Sequence, residues 1–102
     1  MKKIEGFADN IEDELDDADK YARLALENKE DDRESAELYY KLSNEELGHA
    51  DAIHKRIVSL IETYKKTGEE VPAEMLWRYE YLHKKYVAYC VSIKNMLAVY
   101  KQ

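Results

Sequence analysis

The chain has 102 residues, enough for one domain spanning 1–102. Its 16 Lys and Arg against 22 Asp and Glu give a net charge of −6, which argues against a nucleic-acid module, whose footprint is a basic patch. A single cysteine, Cys90, rules out an intrachain disulfide and a Cys-rich zinc site, and reads as a small buried apolar residue. No stretch has the length of apolar sequence that a membrane span needs. Met1 to Phe7 lead into no apolar run, so no secretory leader is expected. A cytoplasmic protein follows as the expectation.

Three long helices are predicted, separated by the few breaks that 3 Gly and 1 Pro allow. The first runs from about 4 to 28. Ile4, Phe7, Ile11, Glu14, Ala18, Tyr21 and Ala25 recur at alternating steps of three and four, the spacing of a buried helix face. Ala8, Leu15 and Ala22 widen it. Asp9, Glu12, Asp13, Asp16 and Asp19 read as a solvated acidic side. Glu14 is the carboxylate in the buried stripe, with Asp13 and Asp17 as alternatives if the register is off by one.

The second helix is expected over about 32–66. Asp31 or Asp32 can cap it, and Asp31 with Glu34 has the spacing of a capping box. Because the break is short, helices one and two should form an antiparallel hairpin. The stripe here is Tyr39, Ser43, Glu46, Ala50, Ile53, Ile57, Leu60 and Tyr64. Gly48 inside this helix is costly relative to Ala and suggests a close helix approach beside Glu46. Gly68 supplies the stop.

Pro72 suits the first position of a third helix over about 72–100. Its stripe is Leu76, Tyr79, His83, Tyr86, Cys90, Ile93, Leu97 and Tyr100. A second apolar set, Trp77, Tyr81, Ala88, Val91 and Ala98, covers another side. A helix apolar on two sides usually packs on two sides, which points to self-association.

The chemistry-bearing stretch is Glu45-Glu46-Leu47-Gly48-His49-Ala50. Residues three apart share a helix face, so one metal ion could touch Glu46 and His49. Glu-x-x-His alone is weak: with 14 Glu in the chain, chance pairings are common, and Glu80 with His83 has the same spacing. Height strengthens the first pair. If the first turn centres near residue 30, Glu14 and Glu46 lie equally far from it and at one level. Glu14, Glu46 and His49 then form a cluster of carboxylate and imidazole ligands suited to iron, manganese or zinc. By the same counting, Glu80 and His83 fall well away from that level, which on the third helix lies near Ile93 and Lys94. His83 is therefore expected to be a packed, hydrogen-bonded residue.

These residues resemble half of a ferritin-like protein of the rubrerythrin, bacterioferritin and encapsulated-ferritin kind. In that family a ligand Glu is often followed by an apolar residue and, seven residues on, a Tyr, as in Glu14-Leu15 and Tyr21. A Glu-Glu-x-x-His-Ala run follows on the next helix, as at Glu45 to Ala50. The resemblance covers about 60 residues and leaves the third helix unaligned. It implies an all-α, four-helix bundle formed when two hairpins dimerise, or a higher homo-oligomer. It further implies a shared di-iron centre ligated by Glu14, Glu46 and His49, Tyr21 as a hydrogen-bonding neighbour, and ferroxidase chemistry. The alternative is a helical oligomerisation or scaffold protein that keeps a buried Glu/His network and binds no metal.

Overall fold

In a computed structural model of the chain, the structure describes residues 2–68, 70 and 72–102; Met1 lies outside them. Three helices follow one another: α1 (Lys2–Asn28), α2 (Arg33–Lys66) and α3 (Ala73–Lys101). The protein is all-helical, and no strand occurs among the described residues. Nor is any described helix long and apolar enough to cross a membrane.

Local chemistry sets the breaks. The Asn28 side chain bonds back to the Leu24 carbonyl at 2.8 Å and closes α1. Asp32, rather than Asp31, caps α2, accepting from the Ser35 amide at 3.1 Å and the Ser35 hydroxyl at 2.6 Å. The expected Asp31–Glu34 capping box is thus displaced by one residue. At the other end of α2, Gly68 takes a φ of +80° and its amide bonds to the Lys65 carbonyl, a left-handed turn that favours glycine. Pro72 sits just before α3, at the cap.

Helices α1 and α2 form an antiparallel hairpin around small side chains. Ala18, Ala22 and Ala25 face Ala36, Ser43 and Ala50, all buried. The fully buried Ser43 donates its hydroxyl to the Ala18 carbonyl at 2.7 Å, joining the two helices where their backbones are closest. Ile4, Ile11, Leu15, Ile57 and Ile61 extend this core. Gly48 has no part in it. It is exposed, and a Cβ there would meet nothing within 4 Å, so the expected close approach is not made within the chain.

Helix α3 runs back alongside the hairpin, parallel to α1. A regular ladder records the register: Arg78 to Glu5 at 2.6 Å, Lys85 to Glu12 at 2.8 Å and Tyr89 to Asp16 at 2.9 Å. The acidic side of α1, expected to be solvated, is therefore partly the seat of α3. Burial and the bond to Asp16 push the Tyr89 hydroxyl up to about 12, so it remains a donor. Ile93, Leu97 and Tyr100 anchor the C-terminal end of α3. The whole is a rod of 57 × 18 × 17 Å.

Candidate metal centre

The hairpin seam has two flanks, and α3 covers one. Glu12 and Asp16 on α1 turn toward it. Glu14 is two residues from each, a rotation of roughly 200° on a helix, and so lies on the other flank. Phe7 and Tyr21 share its side of α1 at seven-residue spacing. Across the seam, α2 brings Tyr39, Leu42, Glu46 and Ile53 to this flank, all half-buried. Tyr21 and Tyr39 stack there with centroids 6.1 Å apart.

Glu14, Glu46 and His49 converge on this open flank. Each offers a ligand atom, and the three lie within 4.8 Å of one another. Nδ1 of His49 is 3.6 Å from a Glu14 oxygen and 3.7 Å from a Glu46 oxygen. Among the described residues, this is the group of three or more acidic, His or Cys side chains close enough to hold one ion. Carboxylate oxygen with imidazole nitrogen is the donor set of iron, manganese and zinc, and the separations need only small side-chain rotations to close on an ion. Asp13 and Asp17, the register alternatives, are exposed and outside the cluster.

The setting differs from the expected buried seam. The Glu14 side chain is 29% exposed, Glu46 20% and His49 61%. Both stripes split lengthwise. On α2, Ser43, Ala50 and Ile57 turn inward, while Tyr39, Glu46, Ile53 and Leu60 stand at the margin. The cause is α3, which draws the core toward its own flank and leaves the other without a cover in the single chain. Tyr21 is on the cluster's flank, stacked on Tyr39; no hydrogen bond from its hydroxyl to Glu14 or Glu46 occurs among the described residues.

Glu80 and His83 lie elsewhere. The contacts His54–His83 and Glu37–Tyr100 fix the register of α3 against α2, and in that register Glu46 is level with Val91. Glu80 sits about eleven residues away, roughly 16 Å along the axis, and is exposed. His83 meets His54, with Nε2 of His54 3.0 Å from Nδ1 of His83. His54 was invisible to motif reading, because it has no Glu-x-x-His spacing and its partner is 29 residues away. Only the return of α3 brings the two together.

Compared with known family models, curated proteins and solved structures, the chain gives no match in any of the three.

Proposed function

We propose that the chain is a ferritin-like di-metal carboxylate protein whose site is completed by a second copy. One observation carries this reading: three convergent ligand side chains lie on the flank of the hairpin that α3 leaves open. Among the described residues, a single chain brings Glu14, Glu46 and His49 together and adds no fourth ligand to the group. Two chains related by a two-fold axis would offer four carboxylates and two imidazoles, the set of a four-helix di-metal site. Four negative charges would balance two divalent ions. The half-exposed Phe7, Tyr21, Tyr39, Leu42 and Ile53 around the cluster would be covered in the same step, adding apolar burial to metal binding.

Held by Glu14, Glu46 and His49, Fe(II) would supply the electrons for reduction of dioxygen or peroxide, which is the ferroxidase reading. The protein's own part would be to hold and tune. Glu46 and His49, one helical turn apart, would hold an ion from α2, and Glu14 would hold it from α1. The Ser43–Ala18 bond and the alanine seam set the spacing of the two helices that carry them. A cytoplasmic setting, where Cys90 stays reduced, fits this role.

A second reading has one observation behind it. His49 stands close to both carboxylates, so in a metal-free helical scaffold the three side chains would form a polar network of their own. The two readings separate on ligand linkage. A metal that binds only the folded assembly stabilises it by about 2.7 kcal/mol at a hundredfold excess over its dissociation constant. Mn(II) should therefore raise the melting temperature of the untagged protein by several degrees. An unchanged melting curve with millimolar Mn(II) present favours the scaffold.

A further inference from the structure

Helix α3 is held in two unlike ways along its length. Its buried residues, Ile93, Leu97 and Tyr100, all belong to the last third. From Ala73 to Tyr89 no residue is fully buried. Here a solvent-open groove of about 910 Å³ runs between α3 and the hairpin, lined by Ile4, Ile11, Leu15, Ile57, Tyr79 and Tyr86. Met75, Tyr79, Tyr86 and Tyr89 pack on the core from α3, each only partly buried, so this half has less close contact than the fully buried end. Polar contacts span the groove as well: Arg78–Glu5 and Lys85–Glu12 toward α1, and His54–His83 toward α2.

The geometry points to the His54–His83 pair as a proton-operated latch that closes the N-terminal half of α3 on the hairpin and releases it on mild acidification. The two ring nitrogens are 3.0 Å apart. At that distance one must carry the proton and the other must be bare, so the bond exists only while at least one ring is neutral. With both rings protonated, two N–H groups would point at each other in a partly buried site. Stacking reinforces the closed geometry. His54 lies flat on Tyr86, centroids 4.5 Å apart and 2° between planes, and His83 lies against Tyr79 at 5.9 Å.

The charged and titratable groups that face the pair come from all three helices. On α1 these are Glu5, Glu12 and Asp16, all bonded to α3 as carboxylates. On α2 they are Asp51, paired with Lys55, and Glu62. On α3 they are Arg78, Lys85, Tyr79, Tyr86 and Cys90. Burial pushes both tyrosines and the thiol up, so they stay neutral. Carboxylates ordinarily titrate near pH 4. Between about pH 5 and 7 imidazole is the side chain whose charge ordinarily changes.

The direction follows from the closed state. Burial, then the charge of His83, lowers His54 below its ordinary 6.5, with Asp51 opposing. A group depressed in the closed state stabilises closure above its free value, and the stabilisation is lost as pH falls through the depressed one. The latch holds above about pH 6.5 and weakens as pH falls from there through the depressed value of His54, exposing the apolar wall of the groove while the Ile93–Tyr100 anchor stays docked.

Amide hydrogen exchange of the full chain at pH 7.5 and 5.5, corrected for intrinsic rates, tests this. Protection of residues 73–89 should fall by about tenfold for each pH unit per proton taken up, with protection of 93–101 unchanged. A His54→Gln/His83→Gln double variant, which can hydrogen-bond but cannot charge, should lose the pH dependence. Protection of 73–89 that is the same at both pH values overturns the latch. So does a loss spread evenly over all three helices, or an equal acid response in the double variant. The regional pattern in the unmodified protein decides the matter even where the double variant does not fold.

Discussion

His49 and His83 each follow a glutamate by three residues, yet their surroundings are opposite. His49 is mostly exposed and reaches two carboxylates on two helices. His83 meets an imidazole and one tyrosine, Tyr79, and its Glu80 is exposed. The spacing is shared; the difference lies in what the partner helix places at the same height. A paired substitution reads this out. His49→Gln should weaken metal binding by at least the tenfold to hundredfold, roughly, that follows loss of even an outer partner of a metal ligand. His83→Gln should leave metal content unchanged, as measured on protein purified without a His tag. Equal loss in both would move α3 onto the cluster.

At the scale of elements, much was legible. The three–four stripes, the Asn28–Asp32 and Thr67–Pro72 breaks and a cap at Asp31 or Asp32 all follow from local chemistry, which acts over a few residues; which of the two aspartates caps did not. Counting from the first turn placed Glu14 beside Glu46, because an antiparallel hairpin fixes height once its turn is known. Two things were not legible. A strip with period 3.5 does not say which half faces inward, and here Ser43 and Ala50 do while Glu46 does not. Nor do the charges on Glu5, Glu12 and Asp16 say that another helix returns to Arg78, Lys85 and Tyr89 after 73 residues. The placement of α3 has its own check. Ile93 is fully buried in the core and Trp77 is 68% exposed. Ile93→Ala should cost about 2–5 kcal/mol in denaturant unfolding, and Trp77→Ala within about 0.5 kcal/mol. A large cost at Trp77 would show that the outer face of α3 is covered in solution.

The whole molecule is a narrow rod with α3 along one flank and the ligand cluster along the other. That arrangement links the fold to the proposed chemistry. Because α3 takes the flank of Glu12 and Asp16, it leaves Glu14, Glu46 and His49 free to meet a second hairpin. Were α3 on the cluster's side, the single chain would close over a half-site. The exposed Trp77, Tyr81 and Val91 of α3 are not part of the Glu14–Glu46–His49 cluster.

The central claim, a metal site shared by two chains, is tested most directly by native mass spectrometry of the untagged protein loaded with Fe(II) under anaerobic conditions. The account predicts a species of two chains carrying two ions, and a Glu46→Ala variant that carries none. A single chain that binds iron tightly, or a two-chain species whose iron content is unaffected by Glu46→Ala, would contradict it.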